Sequence, residues 1–125
     1  MKKTLVILFI SLFTVQIYSQ KPQEAIEAYN RGVALQESGN SDAALVEYEK
    51  ALRINPRMAQ AFLNRGNIHL ERGNAEAALA DYTKVIELNP TNAMVYYNRG
   101  VIYLNKSLND EAIADFSKAV ELIPQ

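Results

Sequence analysis

His69 is the only histidine in this 125-residue chain, and there is no cysteine. Acid–base or metal chemistry would have to be built from one imidazole and from carboxylates. A zinc site gathers several His, Cys or carboxylate ligands into one shell, and no group here has that spacing. The absence of Cys excludes disulfides and thiol nucleophiles. Neither a phosphate-cradling glycine loop nor a nucleophile elbow occurs. His69 falls in an inward-facing slot of an apolar pattern, where an imidazole serves packing. The acidic residues recur at fixed positions, as helix caps and solvated faces. The chain reads as a non-enzyme with no cofactor and no metal.

The residues that do recur with chemical regularity are Asn, Arg and Gly. They stand together at Asn30-Arg31-Gly32, Asn64-Arg65-Gly66 and Asn98-Arg99-Gly100, 34 residues apart each time. A fixed period in this range marks a repeat architecture. Units beginning at Ala25, Ala59 and Ala93 share more than the tripeptide. Position 8 is Gly32, Gly66 and Gly100. Position 20 is Ala44, Ala78 and Ala112. Position 24 is Tyr48, Tyr82 and Phe116, and position 32 is Pro56, Pro90 and Pro124.

Each unit reads as two helices. Proline at position 32 stops one helix before the next begins. Gly39 and Gly73 at position 15 suit a left-handed cap on the first helix of a pair. Asp42, Glu76 and Asp110 open the second helix, where acid complements the positive N-terminus. Apolar residues follow at spacings of three and four, as in Ala44, Leu45, Tyr48, Ala51 and Leu52, which is helical and not strand periodicity.

An α-helix turns about 100° per residue, so Asn and Gly of the tripeptide point to different faces. Glycine lies on the face toward the partner helix and should let two backbones approach, opposite Ala44, Ala78 and Ala112. Arginine points sideways. Position 23 is acidic in every unit, at Glu47, Asp81 and Asp115. In a hairpin turning near position 15, positions 7 and 23 stand at one height. The spacing predicts ion pairs of Arg31, Arg65 and Arg99 with those acids, within or between units.

The pattern of Gly at 8, Ala at 20, an aromatic at 24 and Pro at 32 resembles the tetratricopeptide repeat family. The resemblance covers residues 25–124. It departs at Ala28, where a bulky residue is usual, at Val85, where Ala is usual, and in having Arg at position 7. It implies an all-α fold, a right-handed alpha-alpha solenoid of three helix-turn-helix units: residues 25–58, 59–92 and 93–125. It also implies that the first helices line a concave groove that holds a peptide or helix of a partner protein. On that stripe and beside it stand Tyr29, Asn30, Val33, Leu63, Asn64, Asn67, Leu70, Tyr97, Asn98 and Val101. Asparagine offers donor and acceptor groups to a peptide backbone, and Tyr and Leu offer apolar contact. The competing reading has the asparagines bond neighbouring units and Tyr29 and Tyr97 complete the core. Some family members grip a C-terminal carboxylate with a clamp whose positions correspond here to Tyr29, Val33, Asn64, Met94 and Asn98. Only Asn64 matches it, and its basic residues are missing, so capture of a chaperone tail is not expected.

Residues 1–19 differ from the rest. Lys2 and Lys3 precede an apolar run, Leu5 to Val15, broken only by Ser11 and Thr14. That order is a secretory signal, followed by a short linker at 20–24. The expectation is export to the periplasm or beyond. The alternative is a membrane anchor formed by residues 4–17, with membrane association only if the segment stays uncleaved. Thirteen basic and 14 acidic residues leave no basic footprint for nucleic acid.

The third unit departs locally. Ser107 replaces the position-15 glycine, Leu108 replaces Asn40 and Asn74, and Ile123 replaces Asn55 and Asn89. Its last helix should leave Ile113, Val120 and Ile123 partly uncovered. A homo-oligomer through this C-terminal end, a docked partner, a truncated coding sequence and a frayed end all fit. A self-associating structural adaptor is accordingly the alternative to groove binding.

Overall fold

The computed structural model describes the backbone of residues 2–124 and the side chains of residues 20–124. Every regular element among them is an α-helix. The chain divides into two compact units, Met1–Pro56 and Arg57–Gln125.

The first unit is the hairpin of α1 (Lys2–Glu37) and α2 (Ser41–Ile54). Residues 20–24, expected as a linker, are helical and lie within α1, with Pro22 inside it. The reason is local. Proline removes a single hydrogen bond and does not by itself end a helix that continues on both sides. Residues 1–19, expected as a signal segment, lie outside the residues whose side chains are described. Ala25, Ala28, Gly32, Ala44 and Tyr48 are buried between the two helices, and the Tyr29 and Tyr48 rings lie 5.9 Å apart.

The second unit holds α3 (Ala59–Glu71), α4 (Ala75–Leu88), α5 (Ala93–Asn105) and α6 (Asn109–Glu121). Successive helices pack as antiparallel pairs, and α5 also packs on α4. Ala78, Tyr82 and Val85 of α4 form one buried cluster with Val95 and Ile102 of α5. Burying each valine or isoleucine among them contributes about 1.5–3 kcal/mol. Val95 and Ile102 are positions 3 and 10 of their unit. Glu27 and Ala34 hold those positions in α1 and are exposed.

The turn inside each pair is the same in all three units. In the first, Gly39 N–H donates to the Gln36 carbonyl and Asn40 N–H to the Leu35 carbonyl, both at 2.9 Å. These are the two bonds of a Schellman cap, which needs a left-handed residue. Gly39 and Gly73 supply it at φ 82° and 73°. Ser107 supplies it at φ 60° and keeps the same two bonds, from its own N–H to Leu104 and from Leu108 N–H to Tyr103. Asn40 then caps α2, its Oδ1 accepting from Ala43 N–H at 3.2 Å. Leu108 has no side-chain acceptor to do this for α6.

Among the described residues no helix is long and apolar enough to cross a membrane.

Candidate peptide-binding surface

The three arginines settle into the predicted pairs, each within its own unit. Arg65 binds Asp81 through two parallel bonds, Nε to Oδ2 at 2.9 Å and Nη2 to Oδ1 at 2.7 Å. Arg99 does the same with Asp115, at 2.7 and 2.8 Å. Both aspartates are buried, at 3% and 5% exposure. The Asp115 bond raises the Arg99 guanidinium further above its ordinary range, against the opposing effect of burial. Arg99 Nη1 also donates to Thr83 Oγ1 at 3.2 Å, which ties α5 to α4. Aromatic rings complete the cradles: Phe62 against Arg65, and Tyr96 and Tyr103 against Arg99. Arg31 meets one oxygen of Glu47 at 3.0 Å in a more exposed setting. The guanidinium groups are therefore occupied by their own carboxylates.

Glycine at position 8 does permit close approach, but of a ring and not of the facing alanine. A methyl group on Gly32 would stand 2.6 Å from Tyr48 Cε1, and one on Gly100 would stand 2.8 Å from Phe116 Cε1. On Gly66 it would meet Tyr82 Cε1 at 3.0 Å and Asp81 Cβ at 3.1 Å. The side chain that reaches across is position 24, because a planar ring fills the gap that a small alanine leaves.

None of the ten side chains assigned to the groove is buried. Tyr29, Val33, Leu63, Asn64, Asn67, Leu70, Asn98 and Val101 are half-buried, and Asn30 and Tyr97 are exposed. Several of these side chains also make contacts within their own hairpins. Position 5 leans on position 24 in each hairpin: Tyr29 on Tyr48, Tyr97 on Phe116 at 5.8 Å, and Leu63 against the cluster that contains Tyr82. In the second unit the Tyr82 hydroxyl donates to Asn67 Oδ1 at 2.8 Å, and Asn98 also bonds the phenol. Burial pushes the Tyr82 phenol above its ordinary 10.0, the Asn98 bond draws it back, and Glu71 and Asp81 add to the rise. In the first unit Tyr48 donates to Gln36 Oε1 at 2.7 Å.

His69 is half-buried and not sealed inward. The buried residue of that turn is its neighbour Ile68. The apolar pairs Ala61/Ile68 and Val95/Ile102, seven residues apart, carried the signal for this face, which the pattern of positions 4, 8 and 11 passed over. Among the described residues no group of three or more His, Asp or Glu could hold a metal ion. At the other end Ile113, Val120 and Ile123 are exposed, as the sequence led us to expect.

Three helix pairs with an arginine–carboxylate rung in each define an all-α repeat protein. The chain belongs to the tetratricopeptide repeat family. Models described as TPR repeat match residues 34–73 and 66–107, and one described as Tetratricopeptide repeat matches residues 93–125. Its fold is that of the family's helical solenoids. The second TPR of Spaghetti (RPAP3), bound to the HSP90 peptide SRMEEVD, is 26% identical with a TM-score of 0.79. That match covers 89% of this chain and 97% of the other. The Arabidopsis OM64 TPR domain is 27% identical with a TM-score of 0.76, covering 84% and 87%. MamA is 29% identical with a TM-score of 0.75, and the match covers 81% of this chain and 59% of MamA. No curated protein matches in sequence.

Proposed function

We propose that this chain is a protein-interaction scaffold that holds an extended peptide or a helix of a partner on the first helices of its repeats, α1 in the first compact unit and α3 with α5 in the second. The observation that carries the reading is the state of the ten stripe residues. Amides and apolar groups alternate there, and every one keeps solvent access. Asparagine can bond both edges of a peptide unit, and leucine, valine and tyrosine can take up side chains. Family membership supports it, as does the Spaghetti neighbour seen with a peptide. The peptide chemistry differs from that neighbour's. An acidic end such as SRMEEVD calls for cations, and Tyr29, Val33, Met94 and Asn98 offer none. The three position-7 arginines of this chain's repeats are engaged by Glu47, Asp81 and Asp115. The ligand is therefore neutral or apolar in character. We further propose that the protein works outside the cytoplasm, on the strength of the basic start and apolar run before residue 20.

Selection of peptides from a random library on the purified chain, followed by amide NMR, tests the assignment. Bound peptide should shift the side-chain amides of Asn64, Asn67 and Asn98, and Tyr29→Ala with Tyr97→Ala should weaken binding about tenfold or more. Shifts confined to other surfaces, or tight binding of SRMEEVD, would remove the proposal. Mass measurement of the protein recovered from its host tests export: an intact N-terminus on a cytoplasmic protein is the adverse result.

A further inference from the structure

The rings at position 24 differ in one atom, and the first helices of the repeats differ with them. Tyr48 and Tyr82 are wholly buried and carry a hydroxyl, whereas Phe116 carries none. The Tyr48 hydroxyl donates to Gln36 Oε1 at 2.7 Å, and the Tyr82 hydroxyl donates to Asn67 Oδ1 at 2.8 Å. Gln36 is position 12 of its repeat and Asn67 is position 9 of its own. The other of these two positions is apolar, Val33 in the first repeat and Leu70 in the second. In the third repeat, where the hydroxyl is missing, both are apolar: Val101 and Leu104. Each hydroxyl thus has one amide, and the ring without a hydroxyl has none at these positions.

A phenol that needs an acceptor can take it from any oxygen. An amide brings something more, the two N–H donors of its nitrogen. Gln36 and Asn67 are half-buried. Among the described residues neither amide nitrogen bonds to a protein group, and no buried side-chain nitrogen or oxygen lacks a partner. Both nitrogens therefore reach solvent. Tying the oxygen also fixes the edge that donates, because a carboxamide turned over would set its own N–H against the hydroxyl proton. Half-buried apolar side chains share the helix face with each donor: Tyr29 and Val33 before Gln36, Leu63 and Leu70 on either side of Asn67.

We propose that Tyr48 and Tyr82 are positioning residues for peptide binding. Each turns one amide so that it donates to a main-chain carbonyl oxygen of the bound peptide, and the third repeat takes apolar side chains alone. The inference deepens the peptide-binding reading above and rests on it. A donor set among apolar side chains calls for a neutral acceptor, since a charge brought there would be partly stripped of water. A main-chain carbonyl is neutral and lies between the side chains of its own peptide, which can then settle on Leu63 and Leu70. The first two repeats accordingly read the main chain, and the third reads side chains against Val101 and Leu104.

The test uses the full chain and the tightest peptide from the random-library selection, with binding read by fluorescence anisotropy. Asn67→Asp keeps an oxygen for the Tyr82 hydroxyl and removes both N–H groups. It should keep the wild-type circular dichroism and melting curve and bind about tenfold more weakly, the effect of one lost hydrogen bond that leaves its acceptor unpaired. Gln36→Glu makes the same change in the first repeat and should act the same way. The peptide is then made with one carbonyl at a time replaced by a thioamide, a weaker acceptor. One replacement should weaken binding to the wild-type chain about fivefold and leave binding to Asn67→Asp unchanged. In Tyr82→Phe the sensitivity to that same thioamide should fall while the others stay as they were; a merely structural tyrosine would weaken all the peptides alike. Unchanged or tighter binding by both acidic variants, or indifference to every thioamide, overturns this inference alone if the peptide still shifts the stripe amides. A selection that returns no peptide on the stripe removes the peptide-binding reading and this inference with it.

Discussion

The Tyr82 hydroxyl donates to Asn67 Oδ1 at 2.8 Å, so the buried ring of α4 holds the amide of α3 in a fixed orientation on the accessible stripe. The bond makes one asparagine both a structural tie and a surface group, because Asn67 is only half-buried. Tyr82→Phe should lower stability by about 1 kcal/mol near neutral pH, the net value of a neutral hydrogen bond. It should also change the alkaline limb. Burial raises the Tyr82 phenol above 10.0 in the folded state, so the folded chain retains that proton more tightly than the unfolded chain. This contribution is complete below pH 10 and fades as pH climbs from there through the folded-state value. Urea melts of both proteins from pH 7 to 11 check it. The gap between them should narrow above pH 10, and a gap independent of pH would contradict the assignment.

The rungs should differ sharply in strength. Asp81 and Asp115 are buried with two bonds each, and Arg31–Glu47 is an exposed contact to one oxygen. Removing one partner of a buried pair strands the other charge. Arg65→Ala or Arg99→Ala should each cost about 3–5 kcal/mol, and Arg31→Ala about 0–1 kcal/mol. Thermal and chemical denaturation of the three variants measures the ranking. Equal losses would show that the rungs do not depend on burial.

The glycine contacts predict a graded response to alanine. Alanine gains up to about 1 kcal/mol in helix propensity over glycine, and a clash with a fixed ring costs about 1–3 kcal/mol against it. At Gly32 the Tyr48 ring is fully buried and 2.6 Å from the added carbon, so Gly32→Ala should destabilise most. Gly66→Ala, at 3.0 Å, should be mildest. Denaturant midpoints in the reverse order would mean that the rings give way.

Ser107 holds a left-handed backbone at φ 60°, a conformation that costs a residue with a side chain about 1–2 kcal/mol. Ser107→Gly should stabilise the α5–α6 hairpin by about 0.5–1 kcal/mol once the greater freedom of unfolded glycine is counted. Gly73→Ser should destabilise by a similar amount. Amide exchange of the Leu108 N–H, which bonds to Tyr103, reports the cap directly. Exchange that is not slowed in Ser107→Gly would show the cap is not strained.

Much of the architecture was legible because repetition averages out local ambiguity. Any one hairpin carries a weak pattern. Three in register make Gly32, Gly66 and Gly100, or Arg31, Arg65 and Arg99, stand out from chance, and the opposed charges 16 residues apart name their own partners. Residues 20–24 were read as a linker because they lie between the apolar run and the first repeat, whereas α1 runs through them and through Pro22. The Gly–ring contact was hidden because sequence spacing identifies a face of a helix but not how far each side chain reaches across to the next.

From its order of residues alone, this chain was committed to helix pairs, to arginine–carboxylate rungs and to an apolar last helix at Ile113, Val120 and Ile123. These follow from periodicity and charge, which act along the chain or within one hairpin. Only the packed structure decided that the Tyr82 hydroxyl would meet Asn67 across its hairpin, and that the position-24 rings would reach Gly32, Gly66 and Gly100. Which atoms meet across helices depends on side-chain length and the separation of the helix axes, and neither is written in a linear pattern.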